Sequence, residues 1–295
     1  VTVWAPLPGV TVKSAFHLPP RRGILDVVGS IRSAPPDWLL IQFEQFAYGR
    51  WGLNPFLPWA VVRLRALCPD VGIAVLFHED FYPVDGVRGA LMSAWQRLQF
   101  LTLGRLADVA FFATETWIDA YRNWFPSTRL HHSPVGSNIS VVDASGTDER
   151  ARHGIPPDAF VLGLFGSAHP SRLLRHVNAA VQACTKVHPG THVLYVGPDG
   201  RSVRASLDAS VSVHDAGVLS PEAVSRCFAA MDLYLAPFED GVSTRRGSFM
   251  TGIQHACATI STRGRETGFL LRVHDGNAFR LTPWRDRTAF ATAAA

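Results

Sequence analysis

The chain has 295 residues, 47% of them apolar and 18% charged, a globular balance that excludes a disordered majority and fits two α/β domains of about 150 residues each. Basic residues exceed acidic ones by only four, and nearly all of that charge is arginine, Lys13 and Lys186 being the only lysines; spread along the chain rather than gathered in a tail, it speaks against nucleic-acid binding. Cys68, Cys184, Cys227 and Cys257 lie too far apart for a C-x-x-C or a Cys/His zinc spacing, so four buried thiols in a reducing compartment are expected, and with no run of ~20 apolar residues and no signal-peptide pattern the expected location is the cytoplasm.

In chain order, a strand-like run over residues 1–4 is followed by Pro6, Pro8 and Gly9, and then by a second β-branched run over 10–12. Parallel neighbours need a crossover of a dozen or more residues. Either the two runs are not adjacent in a sheet, or a flexible segment is missing after Pro8; the Thr-Ala-Ala-Ala ending has a similar abruptness. From Pro36 the alternation is clear. Residues 38–43 read as a buried strand, 56–68 as a helix with Leu57, Val61, Leu64 and Leu67 on one face, and 71–77 as a strand ending at His78-Glu79-Asp80. A long helix over 89–107 and a strand over 109–113 follow, with Thr114 and Glu115 at its carboxyl end. This order predicts a parallel sheet covered on both faces.

Between residues 131 and 158 the pattern dissolves into Ser, Gly, Pro, Asp and Asn. A domain boundary is expected there, giving an N-terminal, acceptor-side domain over 1–140 and a C-terminal domain over 141–295. The pattern restarts with a strand over 160–165 running into Gly166-Ser167, a helix over 173–187, strands over 191–196 and 211–214, a helix over 221–230 and a strand over 233–236. Ser220 and Pro221 have the form of an N-cap and a first helical residue. The expected fold class is α/β, with two Rossmann-like doubly wound domains facing each other across a cleft, since ligands bind outside the carboxyl ends of parallel strands.

The most informative stretch is Leu235-Ala-Pro-Phe-Glu-Asp-Gly-Val-Ser-Thr-Arg-Arg-Gly-Ser248, ahead of an expected helix over 249–256 and a strand over 259–262. A helix N-terminus offers free N–H groups to an anion, and Arg245 and Arg246 beside it offer bidentate hydrogen bonds, so a phosphate or diphosphate suits the loop; a solvated turn with both arginines exposed is the other reading. At Gly166-Ser167-Ala-His-Pro-Ser-Arg172 a second strand ends in a small-residue turn. An arginine near a helix start opposes the macrodipole, which an anionic guest relieves; otherwise Arg172 is a surface residue of little consequence. His78 and Glu79, with Asp80, follow a strand, where a histidine beside a carboxylate can orient sugar hydroxyls or handle a proton. Glu44 and Glu115 sit at neighbouring strand ends as lesser candidates, structural capping being the expected role of Glu115. Trp51, Trp59 and Trp95 are candidates for an acceptor surface or for core packing. No G-x-G-x-x-G follows a strand, and neither a P-loop nor a G-x-S-x-G elbow is present.

The order of these motifs resembles the retaining glycosyltransferases of family 4 with the GT-B fold. Val161-Leu-Gly-Leu-Phe-Gly-Ser-Ala-His-Pro-Ser-Arg172 resembles the family's opening strand and Gly-rich turn with its downstream basic residue. The run from Ala216 to Pro237 is similar to the base-binding loop, helix and strand, and Asp240-Gly-Val-Ser-Thr-Arg-Arg-Gly-Ser248 to a variant signature D-G-x-S-x-R-R-x-S. Leu40-Ile-Gln-Phe-Glu44, Phe77-His78-Glu79 and Ser133-Pro-Val-Gly136 resemble the first domain's strand ends and the linker. The resemblance implies a nucleotide-diphosphate sugar as donor, its diphosphate on Arg172, Ser243, Arg245, Arg246 and Ser248, its sugar and ribose near Asp240, Gly241 and Thr251, and its base beside Val218 and Leu219. His78, with Glu79, would act near the transferred sugar, with retention at the anomeric carbon and neither metal nor cofactor. The acceptor would be a glycan, a lipid-linked sugar or a small molecule, which leaves room for peripheral membrane association.

The chain departs from the family where Ser243 and Thr251 stand at the usual pair of glutamates, and where Ser167 replaces the usual arginine. A hydroxyl cannot accept the bidentate pair a carboxylate accepts. The glycine-rich acceptor loop and the closing helix that returns to the first domain are not found. These departures motivate an alternative, a catalytically silent GT-B-like nucleotide- or sugar-binding protein or partner subunit.

Overall fold

The computed structural model describes residues 23–82 and 84–295, the side chain of Leu25 excepted, so the strand-like runs expected over 1–4 and 10–12 lie outside the described residues. The chain divides into two compact units, Val1–Ala113 with Trp117–Ser133, and Thr114–Thr116 with Pro134–Ala295.

The first unit runs α1 (Ile24–Ser33), β1 (Trp38–Phe43), α2 (Gln45–Tyr48), α3 (Phe56–Leu67), β2 (Gly72–Phe77), α4 (Gly86–Leu106), β3 (Val109–Phe112), α5 (Thr116–Tyr121) and β4 (Arg129–His132). Its four strands among the described residues are parallel in the order β1-β2-β3-β4. Alternate residues Ile41, Phe43, Ile73, Val75, Phe77, Ala110 and Phe112 point to one face and are buried with Leu57 and Val61 of α3, Phe100 and Leu103 of α4, and Trp117 and Tyr121 of α5. The other face corrects the expectation of a buried first strand. Trp38 and Leu40 are 52% and 51% exposed, because β1 is the edge of the described sheet and the described core gathers on the opposite side. Glu44 caps α2, accepting hydrogen bonds from Phe46 N and Ala47 N.

The second unit runs α6 (Gly146–Arg152), β5 (Phe160–Phe165), α7 (Leu174–Val187), β6 (Thr191–Val196), α8 (Gly200–Ser206), β7 (Ser212–Asp215), α9 (Pro221–Ala229), β8 (Leu233–Ala236), α10 (Gly247–Gln254), β9 (Thr259–Arg263), α11 (Phe269–Val273), β10 (Arg280–Pro283) and α12 (Arg287–Ala294). All six strands are parallel in the order β10-β9-β8-β5-β6-β7, the doubly wound order whose direction reverses between β5 and β8. One face packs against Val224, Cys227 and Phe228 of α9 and Phe249 of α10. The other packs against Val177, Val181 and Cys184 of α7, Val203 of α8 and Phe290 of α12.

Several elements differ from expectation for local reasons. The stretch expected as unstructured linker, 131–158, holds the end of β4 and all of α6, the latter capped by Ser145 Oγ accepting from Asp148 N. Helix α10 begins at Gly247, two residues early, and α9 begins at Pro221 with Ser220 Oγ accepting from Ala223 N, as its cap residues predict. The last helix, α12, packs within its own unit, where Cys184 Sγ donates to Ala294 O at 3.2 Å. No helix among the described residues is long and apolar enough to cross a membrane.

Candidate functional site

The reversal between β5 and β8 leaves a crevice at their carboxyl ends, where an open α/β sheet places its ligand. Strand β5 runs into Gly166, held at φ +96°. Its carbonyl accepts from Tyr195 Oη at 3.0 Å, and its N–H donates to Val196 O. A side chain here would stand 3.4 Å from Ser248 Cβ and 3.5 Å from Arg172 Nη2, so the glycine turn, the start of α10 and the Arg172 guanidinium are contiguous.

Arg172 lies near the start of its helix, in the turn two residues before α7, where its backbone forms an isolated antiparallel bridge with Phe238 after β8. It is 7% exposed, which removes the reading of an inconsequential surface arginine. Its Nη2 donates to Phe165 O at 2.7 Å and reaches Ser248 Oγ at 3.4 Å, while Nε is buried with no hydrogen-bond partner among the described residues. A buried N–H without a partner is costly, of the order of 1–3 kcal/mol. The Arg172 and Arg246 guanidinium carbons lie 5.2 and 4.9 Å from the Phe238 ring centroid.

Arg246 is the N-cap residue of α10, which has no side-chain cap and no acidic residue in its first turn. The preceding turn is closed by Arg246 N donating to Ser243 O and Gly247 N to Arg245 O. Arg245 is half-buried in the same loop. Ser243 is buried, and its Oγ has no hydrogen-bond partner among the described residues. Tyr234 Oη donates to Ser248 O at 3.1 Å, steadying the first turn from below. The result is a short uncapped helix start, two guanidinium groups and a glycine turn around one position, an arrangement suited to an anion.

Other expected site residues are placed differently. Asp240, at φ +60°, pairs with Arg265 at 2.7 Å. Gly241 packs against the backbone of Arg263 and Gly264. Thr251 is 1% exposed, and its hydroxyl donates to Gly247 O and meets Ser137 Oγ at 3.0 Å, so it faces inward. Val218 is 77% exposed beside Gly217 (φ +67°), and Leu219 is half-buried against the core. In the first unit His78 Nε2 lies 2.6 Å from Gln42 Oε1, Glu79 is half-buried, and Asp80 accepts from Tyr121 Oη and Gln45 Nε2. Glu115 accepts from Leu270 N at the start of α11 and is a cap. Trp51 and Trp59 are 42% and 45% exposed, under Arg50 and Arg88 and under Arg63 respectively, and Trp95 is half-buried. Sequence reasoning missed Phe238, Tyr195 and Tyr234 as organisers of this end of the sheet; the only sequence signal was their position at or beside strand ends.

No protein-family model matches the chain, and no curated protein sequence does. Among solved structures it is similar to sucrose-phosphate synthase from Thermosynechococcus elongatus, with a TM-score of 0.64 and 15% identity over 92% of this chain and 67% of that one. It is similar to HepE of Anabaena in complex with UDP and glucose, with a TM-score of 0.65 and 14% identity over 92% of this chain and 70% of the other. A third is WaaG, a glycosyltransferase involved in lipopolysaccharide biosynthesis, with a TM-score of 0.61 and 15% identity over 91% of this chain and 84% of that one. At such identities the likeness is one of fold, and the fold is that of GT-B proteins, built from two Rossmann-like units.

Proposed function

We propose that the chain is a glycosyltransferase that takes its sugar from a nucleoside-diphosphate donor, whose diphosphate sits at the β5/β8 reversal. The observation that carries this reading is the buried Arg172 guanidinium, with Nε unpartnered among the described residues, beside the uncapped start of α10 and Gly166. Proteins of the same fold in complex with UDP and a sugar support it. In this reading Arg172, Arg246, Ser248 and the first N–H groups of α10 hold the pyrophosphoryl leaving group. Its departure needs negative charge to be stabilised as the glycosidic bond breaks, which oriented guanidinium and amide donors do without reorganising. Arg245 and Ser243 shape the turn, and the Gly217-Val218-Leu219 loop borders the base. His78 and Glu79 are the proposed proton-handling pair of the first unit, acting with retention and without a metal in the donor site; the acceptor is a glycan, a lipid-linked sugar or a small molecule.

A second reading, a protein that binds the nucleotide sugar without turnover, is favoured by one observation. Thr251, at the place of a family glutamate, spends its hydroxyl on Gly247 O and Ser137, so no carboxylate is offered to the donor there. Incubation with UDP-, GDP- and ADP-sugars separates the two. Donor hydrolysis or transfer with at least one supports the enzyme; saturable binding with no turnover supports the silent reading; no binding of any nucleotide sinks both.

A further inference from the structure

On the α6/α9 side of the second unit three side chains with different donor atoms converge. Glu149 and His153 stand one helical turn apart at the end of α6, and Cys227 comes from α9. Glu149 Oε1 is 3.2 Å from His153 Nε2 and 3.8 Å from Cys227 Sγ, and that Sγ is 3.5 Å from the same Nε2. A tetrahedral zinc ion with ligands at about 2.0–2.3 Å holds them about 3.4 Å apart, so the three atoms already stand as one face of such a tetrahedron. We infer that Glu149 Oε1, His153 Nε2 and Cys227 Sγ bind a Zn2+ ion, with a solvent molecule as fourth ligand.

A carboxylate–imidazole hydrogen bond with a thiol beside it has similar distances, and two further observations favour the ion. The other carboxylate oxygen, Oε2, lies 3.7 and 3.6 Å from Nε of Arg152 and Arg226. These two ion pairs, longer than hydrogen bonds, draw Oε2 toward the arginines and leave Oε1 facing the triad, the side of the carboxylate that an outer group of a metal site leaves to the ion. The two helices are also locked together independently of any ion. Arg150 donates to Ala230 O and to both carboxylate oxygens of Asp232, and Gly146 lies so close to α9 that a Cβ there would stand 2.4 Å from Ala229 O. The donors are thus held in place before an ion arrives.

The donor set, one sulfur, one imidazole nitrogen and one carboxylate oxygen, selects zinc over magnesium or calcium, which take oxygen ligands. Binding forms the Zn–S bond and releases the Cys227 thiol proton to solvent. The thiol is buried and His153 keeps 18% of its side-chain surface, so the solvent ligand enters past the imidazole. The ion would act as a staple between α6 and α9. The spacing rule for Cys/His zinc motifs does not reveal the site, because Cys227 is 74 residues from His153 in the chain.

Protein freed of metal by a chelator and titrated with Co2+ tests the inference. One equivalent should bind per chain with a thiolate-to-cobalt charge-transfer band in the near ultraviolet, and added Zn2+ should bleach it. Cys227→Ala should abolish the band. His153→Gln, at a partly exposed position, should weaken Co2+ binding by about 100-fold or more, since loss of even an outer-shell group costs 10–100-fold, and should remove the rise in Tm that Zn2+ gives the wild type. Co2+ uptake by folded wild-type protein without the thiolate band, or a band that survives in Cys227→Ala, overturns the assignment. The wild-type band and His153→Gln decide the matter even if Cys227→Ala does not fold.

Discussion

Arg172 and Arg246, 74 residues apart, rest on one side chain, with guanidinium carbons 5.2 and 4.9 Å from the Phe238 ring centroid. Phe238 is 3% exposed, anchored by its N–H donating to Thr262 Oγ1. An immobile ring thus aligns two positive groups from different turns, and like charges held close together gain from an anion between them. Arg172→Ala and Arg246→Ala are each expected to weaken UDP binding by about 1–3 kcal/mol. The double variant should lose less than the sum, because the two share a platform. Calorimetric titration with UDP measures this, with Arg172→Lys reporting the value of the planar fork against charge alone. Unchanged affinity in both single variants removes the phosphate site.

Gly241 and Gly247 flank the same loop and should respond oppositely to alanine. At Gly241 φ is +89°, and a Cβ would fall 2.2 Å from Gly264 N and 2.8 Å from Arg263 C, atoms of backbone that cannot swing away. Gly241→Ala should cost more than about 2 kcal/mol. At Gly247 a Cβ meets nothing within 4 Å, and the residue is helical, so Gly247→Ala should be neutral or stabilising by up to about 1 kcal/mol. Urea unfolding of the pair checks both signs.

Arg150 holds α6 to the segment after α9 through three acceptors, Ala230 O and the two oxygens of Asp232, and to the loop before β5 through two more, Pro157 O and Ala159 O. Its side chain is 15% exposed, so truncation leaves carbonyls and a carboxylate without their donor. Arg150→Ala is expected to destabilise the protein by about 1–3 kcal/mol, the cost of leaving part-buried acceptors without their donor. A denaturation midpoint within experimental error of wild type contradicts this.

His176 gives stability a pH dependence. It is 1% exposed against Phe290, and burial, reinforced by Arg175, pushes its pKa below the ordinary 6.5. The unfolded chain therefore binds a proton at a pH where the native chain does not. The stability this represents is complete above about 6.5 and is lost as pH falls from there through the depressed native value. His214, lowered by burial and by the neighbouring His192 against a hydrogen bond to the His153 backbone that raises it, acts in the same direction. Urea midpoints should fall between pH 7.5 and 5.5, and His176→Gln should flatten that slope; an equal slope in the variant excludes His176 as the cause.

The thiols should be silent in the native, metal-free protein. All four are free and buried, and burial pushes Cys184 and Cys257 up to about 11 and Cys227, with Glu149 beside it, up to about 12. At these three the reactive thiolate is scarce, and Cys68 is shielded by its burial. An aromatic disulfide reagent should titrate no cysteine at pH 7.5 and four after denaturation.

Much of the second unit was legible because its signals are local. Apolar runs ended at Gly166 and Gly197, Ser220-Pro221 announced a helix, and the small-residue loop before α10 marked a helix start near arginines. The strand over 38–43 was legible as a strand, but the exposure of Trp38 and Leu40 was not, since it depends on what packs beyond them. Thr251 was placed near sugar and ribose by its register in the resemblance, yet its hydroxyl partner Ser137, 114 residues away, is a contact no local pattern announces. Helix α6 was read as linker because only seven residues carry it, and its stability comes from Arg150 and the α9 contact rather than from an apolar stripe.

By itself the sequence determined the periodicities, and with them two tandem parallel α/β units and the turns at their strand ends, because side-chain spacing and backbone preference act within a few residues. The tertiary structure alone decided which distant groups meet. It set Arg172 and Arg246 on Phe238, turned Thr251 toward Ser137, and brought Cys227 to Glu149 and His153. Such meetings depend on the order in which β5, β8 and their neighbours pair, and that order is a property of the whole sheet.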